Sequence, residues 1–195
     1  MAEILRLTDS SYYPAFKKMY KDAIYALDEA RDISMHLKPL RKHIEDIEQT
    51  EIPELHLLLP PLMHSIALLW TNSKHYCKPG RIVVLLQEIG NLFIELARNY
   101  LDPMEIFKGD SEECITKVEL TIRILKDYKV QFENLRNTIE GFFKPGVPVK
   151  KWEFSSDLVF ARYDQFLKRL ELVNDVFSTA IEFSKLEKVI YLLVN

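Results

Sequence analysis

Five histidines, two cysteines and a few adjacent carboxylates are the groups in this 195-residue chain with the means to do chemistry. His75-Tyr76-Cys77 holds an imidazole and a thiol, the residue types of a base and its nucleophile. Neighbours in sequence seldom converge on one reacting atom, however, and no further residue is evident to orient the imidazole. His36 and His43 lie two helical turns apart, a loose spacing for a shared zinc ion, and no H-E-x-x-H occurs. Together with His56, His64 and His75 they read as surface or partly buried side chains. Glu45-Asp46 and Glu112-Glu113 fall on charged helix surfaces, where solvation or helix-end electrostatics explains them better than acid–base catalysis. The residues after the five glycines are Arg81, Asn91, Asp110, Phe142 and Val147. No Gly-Lys exists, so a phosphate-cradling Walker A loop is excluded, and G-x-G-x-x-G is absent as well. Arg162, Lys168 and Arg169 are interleaved with aromatics in the manner of a nucleic-acid surface. Asp164 and Glu171 offset them, and the aromatics belong to an apolar seam. The expectation is a protein with no catalytic residue, cofactor or metal.

The totals agree. With 26 basic and 29 acidic residues the net charge is −3, too weak a field to gather nucleic acid or an acidic membrane. The chain is 48% hydrophobic and 28% charged, which excludes general disorder. Five glycines, with prolines mostly between periodic runs, favour helices over a turn-rich sheet. Cys77 and Cys114, in a chain with no N-x-[ST] acceptor, suggest reduced cytosolic thiols. MAEILRLTDS has no signal-peptide pattern, and the run Leu57–Trp70 is too short to span a bilayer, so a soluble protein is expected.

What remains is a set of rods. The pattern predicts an all-α, elongated bundle of four to five long antiparallel helices with heptad-like packing, as a single segment over 1–195. Within 1–53, Phe16, Tyr20, Ala23 and Leu27 repeat at 4, 3, 4, and Ile33 to Ile47 continue the period. Pro14 suits the first turn, Thr8, Asp9 or Ser10 could cap it, and Pro39 predicts a kink or break near Leu37. Over 54–103 two helices are expected. One begins at Glu54 or Pro61 and ends at Ser73; the other covers Arg81–Tyr100 and, with Val83, Val84, Leu85, Leu92 and Ile94 also apolar, should lie deepest. Over 104–149, Asp110 or Ser111 caps a fourth helix, and Lys144-Pro145-Gly146-Val147-Pro148 breaks the chain. Over 150–195, Trp152 and Phe154 alternate as in an extended segment, and Ser155-Ser156-Asp157 starts the last helix. There Val159, Tyr163, Phe166, Leu170, Val173, Phe177 and Ala180 recur at 4, 3, 4, 3, 4, 3. About 30 such residues span roughly 45 Å, a strut with a coiled-coil seam.

Two blocks go beyond generic helix. The first, Leu58 to Pro103, contains P-G-R-x-x-V-L-L-Q-E-I-x-N-L. The second joins W-x-F, Phe160, F-L-x-R-L and K-L-E-K. In this order and spacing they resemble the N-terminal tail (stem) region of dynein heavy chains, most of all axonemal members of the outer-arm beta type. The resemblance covers the chain from about Asp28 to Val189. It implies a non-enzymatic tail segment, without the family's ATPase motor, that contributes to ciliary, microtubule-based movement. Implied partners are other dynein heavy chains and intermediate and light chains, with indirect microtubule association and neither nucleic acid nor membrane. The implied place is the cytoplasm and cytoskeleton, in the cilium axoneme. The matching positions are Trp70, Arg81, Asn91, Trp152, Phe154, Phe160, Phe166, Arg169, Leu170, Leu186 and Glu187, expected mostly to pack within the tail. After Lys188-Val189 the family continues with an acidic residue and a Gly-Gly turn, whereas this chain reads Ile190 to Asn195, so a truncated or alternative end is expected. The alternative role is a free-standing helical adaptor that competes for dynein accessory chains.

Overall fold

A computed structural model describes residues 2–7, 10–106, 109 and 111–194. Every regular element among them is a helix: α1 (Ala2–Leu7), α2 (Tyr13–Glu48), α3 (Leu55–Asn72), α4 (Pro79–Tyr100), α5 (Pro103–Ile106), α6 (Ser111–Thr138) and α7 (Ser156–Val194). Single 3₁₀ turns, Ile52–Glu54 and Ile139–Phe142, precede α3 and follow α6. The all-α expectation holds. Among the described residues no helix is long and apolar enough to cross a membrane.

Local chemistry sets most of the boundaries. Pro14 and Pro79 sit in first turns, where a missing amide costs nothing. Ser10 Oγ accepts from Tyr12 N at 3.3 Å ahead of α2; Thr8, Asp9 and Asp110, the other expected caps, lie outside the described residues. Ser111 is itself the first residue of α6 rather than its cap. At α7, Ser155 Oγ accepts from Asp157 N at 3.2 Å while its carbonyl accepts from Leu158 N. Between α6 and α7, Gly146 has φ +84°, and Val147 N donates to the Lys144 carbonyl at 3.1 Å. Pro145 then Gly146 is the pair such a turn requires, since glycine alone reaches that φ freely.

The prolines and the deepest helix are where structure and expectation meet most sharply. Of the kink or break expected near Leu37, the break is corrected: α2 runs through Pro39 as one element of 36 residues. Leu40 and Ile47, both buried, anchor it beyond the proline, and that packing offsets the lost hydrogen bond. Of the two expected starts, Glu54 or Pro61, the first is the one adopted: α3 begins at Leu55 with Glu54 before it and carries Pro60 and Pro61 inside. The deepest helix is α3, not α4. It buries Leu55, Leu59, Leu62, Met63, Ile66, Ala67, Leu69 and Trp70, while Val84 of α4 faces solvent. The reason is position: α3 packs on both α2 and α6.

Helix α6 packs on α7, and α7 on α4. The ion pairs Lys129–Asp164, Lys126–Glu171 and Glu112–Lys185 run in opposite senses along α6 and α7, so those two helices are antiparallel. Helix α4 runs parallel to α7: Gln87 Nε2 donates to the Leu158 carbonyl, and further along Arg98 lies over the Phe166 ring. Gly90 faces the Tyr163 ring at this crossing, and a Cβ there would stand 3.4 Å from it, at the near edge of ordinary van der Waals contact.

Candidate functional site

Trp152 and Phe154 are buried in an extended stretch in which Glu153 points to solvent, as alternation requires. They dock on an aromatic spine. Trp70 meets Trp152 edge-on at 6.3 Å, Trp152 stacks on Phe132 at 5.4 Å, and Phe132 meets Phe160 at 5.0 Å. Phe160 continues to Tyr128 at 5.6 Å, and Tyr128 to Phe93 at 4.7 Å. Each ring pair adds about 0.5–1.5 kcal/mol to what its burial supplies. The polar atoms are mostly satisfied by backbone: Trp70 Nε1 donates to the Lys150 carbonyl, Tyr128 Oη to Leu86 and Tyr163 Oη to Leu125. Burial pushes both phenols above their ordinary pKa, so they stay neutral donors. The spine joins α3, α4, α6 and the start of α7 into one body. Of the family-matching positions, Trp70, Trp152, Phe154 and Phe160 lie in it.

A second cluster was not legible beforehand. The loop between α3 and α4 is clasped to α2 by acids one turn apart. Asp32 accepts from Ser73 Oγ (2.5 Å), Lys74 N (3.2 Å) and His75 N (3.0 Å). Asp28 takes Lys74 Nζ at 2.6 Å and lies 3.3 Å from His75 Nε2. Family-matching Arg81 pairs with Glu29 and covers the Tyr76 ring. His75, 2% exposed, also meets Tyr25 edge-on. It is thus engaged by α2 in a structural clasp, which gives the residue before Tyr76 and Cys77 a packing role. The sequence signal was Asp28 and Asp32 at helical spacing, the pairing of acids on a helix with free amides on a loop.

The clasp titrates in a defined direction. Hydrogen bonds from Lys74 and then His75 hold the Asp28 carboxyl below its ordinary pKa. Burial raises that of Asp32, but bonds from Ser73, His75 N and Lys74 N outweigh it and the net shift is downward. A depressed folded pKa stabilises fully above the unfolded value, about 4, and the contribution disappears as pH falls through the lower folded value. Asp32→Ala, which orphans three donors at about 1–3 kcal/mol in all, should lower the melting temperature by roughly 3–10 °C at neutral pH. Its deficit should shrink when melting is followed down to acid pH. An equal deficit at every pH would place the effect elsewhere.

The remaining family-matching positions fall on α4 and α7. Asn91 Nδ2 is 3.4 Å from Glu88 Oε2, and both line a shallow cleft against Leu158 and Arg162. Phe166 and Leu170 line an apolar cleft of about 400 Å³ with Ala97, Leu101, Val118 and Phe177. Arg169 is exposed, as are Leu186 and Glu187. The expected seam of α7 is therefore buried only in its first part, with Phe177 half-buried against the core beyond it. Val159, Tyr163 and Leu170 are buried, while Val173 and Ala180 are exposed. Beyond Leu170 the helix presents Leu172, Val176, Phe183 and Leu186 to solvent, at exposures of 64%, 68%, 68% and 57%.

Among the described residues no group of three or more histidine, cysteine, aspartate or glutamate side chains is arranged to hold a metal ion. The described residues thus form a helical body with an internal aromatic lock and, along the second half of α7, a row of exposed apolar side chains. The chain belongs to the family described as dynein heavy chain, N-terminal region 1, whose profile matches residues 1–194. It is 45% identical over 188 residues to the ciliary dynein beta chain of Heliocidaris crassispina. It is 44% identical over 189 residues to human dynein axonemal heavy chain 9, and 42% over 188 residues to dynein axonemal heavy chain 11 of Sus scrofa. These matches cover 96–97% of this chain and 4% of each relative, so the chain spans a small part of the proteins it matches.

Proposed function

We propose that the chain serves as a non-enzymatic association segment of an axonemal dynein heavy-chain tail. It contributes to joining heavy chains, to binding intermediate and light chains, and to attaching the motor in ciliary, microtubule-based movement. Its association with microtubules is indirect, and its place is the cytoskeleton of the axoneme. The observation that carries this reading is the uncovered apolar face of α7, Leu172 to Leu186, in a member of this family. A face of that kind is stabilised by receiving another helix. The aromatic spine supplies the stiffness that holds it in place.

The test is reconstitution. Tagged full chain is mixed with salt-extracted axonemal dynein, recovered, and probed for heavy and intermediate chains. Co-purification of heavy chain is expected. Capture of accessory chains without heavy chain, together with their displacement from intact motors, would favour the adaptor role. Nucleotide hydrolysis that follows the protein and is lost on substitution of His75 or Cys77 would contradict a non-enzymatic segment.

A further inference from the structure

We propose that the outer face of α7 from Leu172 to Glu187 receives a helix of a different polypeptide, one whose apolar stripe is flanked by lysine or arginine. This rests on the association reading above and adds the partner's chemistry. Helix α7 carries two stripes. The inner one, from Val159 to Leu170, is buried against the bundle. The outer one, Leu172, Val176, Thr179, Phe183 and Leu186, recurs at 4, 3, 4, 3, which is the spacing of a coiled-coil seam.

The flanks decide the partner. Beside the outer stripe stand Asp175 and Glu182 on one side and Val173, Ala180 and Glu187 on the other. Three carboxylates and no cation occupy these positions. All three are exposed, and among the described residues none of them makes an ion pair. The nearby cations are turned elsewhere: Lys126 pairs with Glu171 at 2.7 Å, and Lys185 lies 3.9 Å from Glu112. Arg123 and Lys126 of α6 line a shallow depression together with Asp175, and neither forms an ion pair with it among the described residues. A second copy of α7 is a poor occupant. Parallel pairing sets Glu182 against Glu187 of the copy, and antiparallel pairing sets Asp175 and Glu182 against each other. Like charges at these positions oppose association, whereas cations on the incoming helix would pair in either orientation.

Two fluorescent synthetic peptides of three heptads test this, both with leucine in the seam, one flanked by lysine and the other by glutamate. Binding to the full chain is read by anisotropy. The lysine peptide should bind roughly tenfold or more tightly than the glutamate peptide, from three charge pairs at the helix flanks, and the difference should fall as salt is added. Val176→Asp and Phe183→Asp, both on exposed positions, should abolish binding while thermal melting is retained. The combined Asp175→Lys, Glu182→Lys and Glu187→Lys variant should reverse the preference. Equal binding of the two peptides, binding untouched by Phe183→Asp, or self-association of the chain that Phe183→Asp abolishes would each overturn the assignment. Should peptide selectivity fail while heavy chain is still recovered, the face is wrong and the association reading stands.

Discussion

Phe132→Ala should lower the free energy of unfolding by about 3–5 kcal/mol, the range for emptying a buried aromatic site. Phe132 is fully buried and touches Trp152, Phe154 and Phe160 at ring distances of 5.4, 6.4 and 5.0 Å. It stands where the extended segment before α7 crosses α6, so its removal leaves a void among large rings with little freedom to collapse. Phe132→Leu, which refills most of the volume, should cost much less. Urea unfolding followed by circular dichroism measures both. A loss below about 1 kcal/mol for the alanine variant would mean that the spine is not what fastens α7 to the bundle.

The second large effect contrasts two leucines two positions apart on α7. Leu170 is 9% exposed at the edge of the apolar cleft, and Leu172 is 64% exposed on the outer face. Leu170→Asp both empties a packed site and brings a carboxylate into an apolar cleft lined by Phe166, Phe177 and Val118, where Arg98 over the Phe166 ring is the charged residue of the lining. A loss of about 3 kcal/mol or more is expected. Leu172→Asp should stay within about 0.5 kcal/mol of the parent, since it adds a charge to solvent. Unchanged melting in Leu170→Asp would show that the inner face is not buried there. Equal losses in both variants would show that the helix lacks two distinct faces.

The fold class was legible because the apolar residues of α3, α4, α6 and α7 keep a helical period that no strand shares. Two things escaped that reading. Prolines at 39, 60 and 61 mark breaks in isolation, but α2 and α3 run through them because neighbouring side chains are held by tertiary packing. The period also gives no sign of which stripe finds a partner. Val159, Tyr163 and Leu170 are covered and Val173 and Ala180 are not, although all five belong to one seam. The aromatics Trp70, Trp152, Phe154 and Phe160 stand out in the sequence one by one, yet their union into one spine depends on long-range contacts between α3, α6 and the segment before α7. The acid clasp at Asp28 and Asp32 was missed for the same reason. A charge pattern on α2 takes its meaning from a loop more than 40 residues away, as the bond from His75 N to Asp32 shows.

The most direct test of an association surface on α7 is hydrogen–deuterium exchange along that helix, with and without purified axonemal heavy chain. Backbone amides from 172 to 187 should exchange faster than those from 159 to 170 in the free chain and become protected in the complex, while 159 to 170 stay protected in both. Heavy-chain binding that leaves 172 to 187 unprotected would contradict it.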